Sequence, residues 1–145
     1  MRLRHRVRTS ASPTQVWTML GSPERWQEYD VFLRRVRGAA GPATAGQHLL
    51  GVARWFALGI PIDVVEAVAE RRLVVRVHAA PGVLQEVTSE ITPLVRGGCD
   101  LVVSVVVEGL FARPAAVPLW LASGLTVRVL ARRVEQIARA ARRAA

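Results

Sequence analysis

The order of predicted elements along the chain constrains its fold more than any single motif does. An alternating strand at residues 2–9 is followed by two short helices that begin at Ser12-Pro13 and Ser22-Pro23. Segments of strand length fill the middle of the chain, and an amphipathic helix at about residues 117–143 closes it. This order predicts an α+β fold with a seven-stranded antiparallel sheet and one long C-terminal helix. The predicted strands are 2–9, 31–37, 47–58, 60–70, 73–79, 83–93 and 100–108.

The C-terminal helix has a regular apolar stripe with one break. Small residues, Ser123 and Gly124, interrupt the stripe in its first half, and a glycine inside a helix costs about 1 kcal/mol relative to alanine. Two explanations stay open: close packing against the sheet, or room left for a ligand. The stripe consists of Trp120, Val127, Leu130, Val134, Ile137 and Ala141.

Length and composition predict a single domain over residues 1–145. Hydrophobic residues make up 51% of the chain, but no uncharged apolar run reaches the roughly 18–20 residues that span a bilayer. The N-terminus has no apolar core of a signal peptide, so we expect a cytoplasmic protein without a membrane span. The single cysteine, Cys99, excludes a disulfide within the chain and a cysteine-based metal cluster.

The net charge of +9 comes from 20 basic residues, every one of which is arginine. Arg2, Arg4, Arg6 and Arg8 share one face of the first strand, opposite Leu3, His5, Val7 and Thr9. No aromatic residues interleave with these arginines, as base-stacking platforms would require. The pattern therefore favours a solvated outer face, and we expect no specific nucleic-acid partner.

Several weak motifs occur in a specific order along nearly the whole chain. They are Val16-Trp17, Trp26, Gly46, Val64-Val65-Glu66, Pro93 with Gly97-Gly98, and Gly109 ahead of the last helix. In this order the chain resembles the START-like, helix-grip (SRPBCC) superfamily, in particular its polyketide cyclase/dehydrase and lipid transport branch. The resemblance implies that the sheet curves around the long helix and that the two enclose a cavity.

Few polar residues are candidates for chemistry in such a cavity. If Leu58-Gly59 forms a two-residue hairpin turn, Arg54 lies opposite Asp63. Their neighbours on that face include Val52, Phe56 and Val65, so we expect Arg54 and Asp63 to form a buried pair. An exposed surface pair is the alternative. Tyr29, beside Trp26, is a third catalytic candidate. The full set expected to line the cavity is Trp26, Tyr29, Val52, Arg54, Phe56, Asp63, Val65, Gln85, Val87, Ser89, Trp120, Ser123, Gly124 and Val127.

The predicted function is binding of a hydrophobic small molecule, such as a lipid, a polyketide or an isoprenoid-like compound. A polyketide cyclase/dehydrase-type enzyme is the alternative, and a basic interaction module is the third possibility. The resemblance implies a cyclase arginine near residues 64–68, and this sequence has none there. No phosphate loop, dinucleotide fingerprint or metal-ligand spacing occurs, so we expect no cofactor and no metal. The sequence leaves the ligand's identity and the oligomeric state open.

Overall fold

The computed structural model describes residues 1–55 and 58–144. Seven strands form one antiparallel sheet in the order β1-β7-β6-β5-β4-β3-β2, and the helices follow β1 and β7. The predicted α+β helix-grip architecture is confirmed. The elements are β1 (Arg2–Thr9), α1 (Pro13–Leu20), a 3-10 helix (Pro23–Glu28), β2 (Leu33–Arg37), β3 (His48–Ala53), β4 (Gly59–Val68), β5 (Arg72–Ala80), β6 (Val83–Pro93), β7 (Cys99–Glu108) and α2 (Ala112–Ala144).

The predicted capping box starts α1. The Ser12 hydroxyl accepts a hydrogen bond from the Gln15 N–H at 3.2 Å, and the Gln15 side chain accepts one from the Ser12 N–H at 2.9 Å. Pro13 occupies the first helical position, where no intrahelical partner for an N–H exists. The second Ser-Pro start forms the 3-10 helix. Its Trp26 indole donates to the Leu20 carbonyl at 2.9 Å, which joins the two short helices.

The long helix begins at Ala112, five residues before the predicted start at residue 117. Pro114 falls in its first turn, where a missing N–H costs little. The buried residues of α2 are Ala112, Val127, Leu130, Val134 and Ala138. Trp120 and Ala141 were predicted for this stripe, but both are exposed. The predicted repeat of about 3.5 residues is wrong at the end of the helix. With 3.6 residues per turn, the buried position that follows Val134 falls at Ala138 and not at Ile137.

The β3–β4 hairpin differs from the predicted one in its turn and its register. Gly59 pairs with Val52 inside the ladder, and the Ala53 N–H donates to the Leu58 carbonyl at 2.8 Å. The connection is therefore longer than two residues, and Asp63 pairs with His48 instead of Arg54. His48 lies six residues before Arg54, and because this shift is even, the residues predicted to share a face still share it. That face is the outer one, whereas it was predicted to line the cavity. Ile60, Ile62 and Val64 of β4 are buried, as is Leu49 of β3.

A carboxylate holds α2 against the end of β1. Glu135 accepts three hydrogen bonds at 2.6 Å, from the Thr9 hydroxyl, the Ser10 N–H and the Ser10 hydroxyl. These bonds, that of the Ser10 hydroxyl foremost, lower the pKa of Glu135 from its ordinary value of 4.5 to about 2. The ionised carboxylate therefore stabilises the attachment of the helix to the first strand.

Glu135→Gln is expected to destabilise the fold by about 1–2 kcal/mol near neutral pH, allowing for solvent screening of this half-exposed site. Because the folded-state pKa is depressed, the stabilisation is complete above about pH 4.5 and is lost as pH falls towards about 2. Urea unfolding at about pH 7 and about pH 3 should therefore show a gap in the free energy of unfolding between wild type and variant, and this gap should be smaller at about pH 3. Glu24→Gln, at an exposed site on the 3-10 helix, is the control. A gap that does not change with pH would contradict this role.

Candidate ligand-binding cavity

A cavity of about 390 Å³ lies between the inner face of the sheet and α2. Its volume falls at the lower end of the range for small-molecule sites, roughly 300–1,000 Å³. Strands β4 to β7 contribute Ile60, Ile62, Leu73, Val75, Val77, Ala79, Ala80, Val83, Gln85, Val87, Ser89 and Val103. Helix α2 contributes Ala115, Pro118, Leu119, Thr126, Val127 and Leu130, and the segment from α1 to β2 contributes Leu20, Trp26, Tyr29, Asp30, Phe32 and Leu33.

The two halves of α2 contact the sheet differently, and this difference leaves the space. The second half packs directly on the core through Val127, Leu130 and Val134. The first half has no buried residue after Ala112 until Val127, and it lines the cavity with Ala115 and Leu119 instead. The cavity therefore occupies the space under the first half of the helix.

Five polar side chains line this otherwise apolar wall: Tyr29, Asp30, Gln85, Ser89 and Thr126. Asp30 is the one charged residue among the described lining residues, and no arginine or histidine is found there. The hydroxyl oxygen of Thr126 accepts a hydrogen bond from the Val31 N–H at 3.3 Å, so α2 is tied to the segment that carries Tyr29 and Asp30. The lining is suited to an apolar ligand with one or two polar groups.

Tyr29 and Asp30 form the titratable part of the cavity. Burial, and secondarily the charge of Asp30, raise the pKa of the Tyr29 phenol well above 10. Burial also raises the pKa of the Asp30 carboxyl, although a hydrogen bond from the Phe32 N–H at 2.9 Å and the charge of Arg54 oppose that rise. Tyr29 is therefore a neutral hydrogen-bond donor near neutral pH, and Asp30 is a stronger base than an ordinary aspartate.

Six residues predicted for the cavity line it: Trp26, Tyr29, Gln85, Val87, Ser89 and Val127. The three from β6 do so because alternate residues of an inner strand face the helix, as the sequence pattern indicated. Val127 begins the part of α2 that packs on the sheet.

The predicted Arg54–Asp63 pair does not form. Asp63 lies on the outer face of the sheet, where its carboxylate contacts His48 Nδ1 at 2.6 Å and His78 Nε2 at 3.4 Å. The hydrogen bond to His48, together with that to His78, lowers the pKa of Asp63. The Arg54 guanidinium donates to the Leu33 carbonyl at 3.1 Å and acts on the cavity only through its charge near Asp30.

The other predicted β3 and β4 residues also miss the cavity. Val52 shares the outer face with His48, which pairs with Asp63, because the two residues are four apart on β3. Val65 lies at a β-bulge between Val64 and Glu66 and is exposed. Phe56, predicted for the same face, lies outside the described residues.

Trp120, Ser123 and Gly124 face β1, away from the cavity. A Cβ on Gly124 would lie 3.3 Å from His5 Cε1, and the Ser123 hydroxyl hydrogen-bonds His5 Nε2 at 2.8 Å. Burial, and secondarily Arg128, lower the pKa of His5, which is therefore a neutral imidazole bound to a serine. Of the two explanations for the small residues, the structure supports close packing.

Sequence reasoning missed Asp30, the one carboxyl among the lining residues that the structure describes. Its position directly after Tyr29, at the end of a Pro-started helix, could have suggested it. Ile60 and Ile62 were missed because they lie on the face of β4 opposite the one that was predicted to line the cavity; both are buried.

A sheet of seven antiparallel strands around one long helix, with a cavity between them, defines the class of helix-grip proteins. The chain belongs to the polyketide cyclase/dehydrase and lipid transport family, whose sequence model matches residues 1–145. No curated protein matches the chain significantly.

Solved structures share the fold at low sequence identity. A protein from Nitrosospira multiformis superposes with a TM-score of 0.74 at 10% identity, over 96% of this chain and 99% of its own. One from Rhodobacter sphaeroides gives 0.69 at 22% identity, over 96% of this chain and 92% of its own. DynU16, from the dynemicin biosynthetic locus, gives 0.72 at 20% identity, over 92% of this chain but 47% of its own.

Proposed function

We propose that this protein binds a neutral hydrophobic small molecule, of lipid, polyketide or isoprenoid-like type, inside the cavity. The observation that carries the proposal is the cavity itself, about 390 Å³ lined almost wholly by Val, Leu, Ile, Ala and aromatic side chains. Burial of apolar ligand surface in such a wall supplies the driving force for binding. Membership of a family that includes lipid transport proteins is consistent with this role.

The charge of the wall favours a neutral ligand over an acid. No arginine or histidine lines the described part of the cavity, and Asp30 supplies a negative charge when ionised. A ligand carboxylate would lose its hydration and would face Asp30, whereas a ligand hydroxyl could donate a hydrogen bond to Asp30. The site therefore selects neutral ligands with hydrogen-bond donors.

Native mass spectrometry of the freshly purified protein should reveal a retained apolar compound. As a direct test, decanol should bind at least about tenfold more tightly than decanoate at about pH 8, because the anion must be desolvated beside Asp30. Asp30→Asn should reduce the preference for decanol over decanoate, since it removes the negative charge that repels the decanoate carboxylate. The control is Asp63→Asn, which changes a carboxylate on the outer face.

Equal or tighter binding of decanoate by the wild type would contradict the assigned selectivity. Absence of a retained compound, together with no binding of either probe, would contradict the cavity as a ligand site.

An enzyme of cyclase/dehydrase type is a second candidate, favoured by the adjacency of Tyr29 and Asp30. A phenol that stays protonated and a carboxylate of raised pKa are suited to act as proton donor and general base. The acidic catalytic candidate is then Asp30, whereas the sequence analysis had named Asp63. Tyr29→Phe should then stop conversion of a bound ligand, followed by NMR, without loss of affinity. Unchanged conversion by Tyr29→Phe would exclude the phenol as the donor.

A further inference from the structure

The first half of α2 is apolar on the side that faces away from the cavity as well as on the side that lines it. Six large apolar side chains, four on this half of α2 and two directly before it, are each between 51% and 90% exposed. These exposed residues, and not the row of α2 residues predicted to face the sheet, are called the apolar stripe from this point on: Leu110, Phe111, Val117, Trp120, Leu121 and Leu125. Val117, Leu121 and Leu125 are spaced four residues apart, so they lie along one face of the helix.

Such a surface is unusual for a helix exposed to water. An 18-residue window of α2 has a mean hydropathy of 1.4, and only 11% of that window is buried. Among the described residues α2 is the one helix long and apolar enough to cross a membrane by length and composition. A helix that is hydrophobic on all sides normally lies in a protein core or in contact with lipid, and a large exposed apolar patch marks an interaction site.

Cationic side chains border the apolar stripe. A groove of about 370 Å³ between β1 and α2 brings Trp120, Leu121 and Leu125 together with Arg4 and Arg128. In the part of the chain that the structure describes, neither Arg4 nor Arg128 forms an ion pair, whereas Arg6 in the same groove binds Asp100. The apolar side chains are suited to contact the acyl chains of an anionic membrane. The arginines that have no acidic partner are suited to contact its phosphates.

We propose that the apolar stripe, with Arg4 and Arg128 beside it, docks the protein on the surface of an anionic lipid bilayer. The inference rests on the proposed function and deepens it, because it assigns a lipid surface as the place where the cavity exchanges its ligand. The same half of α2 lines the cavity with Ala115, Pro118 and Leu119. A docked helix would therefore place one cavity wall against the acyl chains, and an apolar ligand could transfer without crossing water.

Charge favours the bilayer over a second copy of the chain. Two copies joined through this face would each carry a net charge of +9 and would bring their arginines close together. Spanning is disfavoured because Val127, Leu130 and Val134, in the second half of the same helix, are buried against the sheet. The helix therefore lies in the interface, with Trp120 at the depth that tryptophan prefers.

Co-sedimentation with vesicles tests the proposal. Wild type should bind vesicles of phosphatidylcholine with about 30% phosphatidylglycerol more tightly than pure phosphatidylcholine vesicles, and the difference should shrink with added salt. The double variant Leu121→Glu with Leu125→Glu should lose about tenfold or more in partitioning, because two apolar contacts are removed. Val95→Glu, which changes a fully exposed apolar residue in the β6–β7 connection, is the matched control and should bind as wild type does.

The outcomes separate docking from cavity binding. The Leu121→Glu, Leu125→Glu variant should still bind decanol in solution. Ala115→Trp, which fills the cavity with an indole ring, should still bind vesicles. Wild type that ignores anionic vesicles, or a double variant that binds them unchanged, would overturn the proposal. A wild type that is dimeric without binding vesicles, and that the double variant makes monomeric, would assign the stripe to a second copy of the chain instead.

Discussion

Ala115→Trp is expected to weaken ligand binding by about 100-fold or more while leaving the protein folded. Ala115 lines the cavity from α2 and is only half-buried, so an indole there can enter the open space without displacing packed core residues. The bulky ring then occupies volume that the ligand requires. Titration with decanol, followed by calorimetry, measures the loss.

The neighbouring residue supplies the control for this variant. Ala116 is also half-buried on α2 but does not line the cavity, so Ala116→Trp should retain the wild-type affinity. Thermal unfolding of both variants checks that each is folded. If Ala115→Trp binds decanol as tightly as wild type, the ligand site lies elsewhere, and the groove between β1 and α2 becomes the next place to test.

Gly98→Ala is expected to destabilise the fold by roughly 3 kcal/mol or more, which lowers the melting temperature by about 10 °C. Gly98 lies before β7 with φ of +75°, a conformation that alanine adopts poorly. A Cβ there would also overlap the carbonyl oxygen of Thr9 at the end of β1. The Thr9 carbonyl belongs to β1 and Gly98 directly precedes β7, so neither segment of backbone can move cheaply.

Gly97→Ala separates the cost of the positive φ from the cost of the overlap with Thr9. Gly97 also has a positive φ, +94°, but a Cβ there meets no atom within 4 Å. Its replacement should therefore cost only the conformational term, about 1 kcal/mol. Thermal and urea unfolding of both variants give the difference, which measures the overlap with Thr9. Equal losses for the two variants would show that conformational preference alone accounts for the effect.

Features that depend on short segments of chain were predictable from the sequence. The capping box at Ser12 is one, since the residues that form it are three apart and bond to each other's backbone. The alternation of β1 is another, since its arginines face outward and His5 faces the helix. The order of elements and the family followed from the same local signals, accumulated over residues 1–145.

The site was only half predictable, because its lining depends on which strand face is turned inward. For β6, Gln85, Val87 and Ser89 alternate with charged or polar neighbours, and the inner face was chosen correctly. For β3 and β4 both faces carry apolar residues, and the face that was judged the more apolar was predicted to line the cavity. The face with Leu49, Ile60 and Ile62 is the one turned inward, so Arg54 and Asp63 were placed in the cavity wrongly.

The sequence by itself determined the starts of the two short helices, the outward basic face of β1 and the α+β fold, because short-range hydrogen bonds and periodicity carry that information. Only the tertiary structure decided the hairpin register, the bulge at Val65 and the position of Asp30 in the cavity wall. These features arise from contacts between distant segments, such as α2 over the sheet. Such contacts decide which face of a strand is turned towards α2, and the alternation within the strand is the same for either choice.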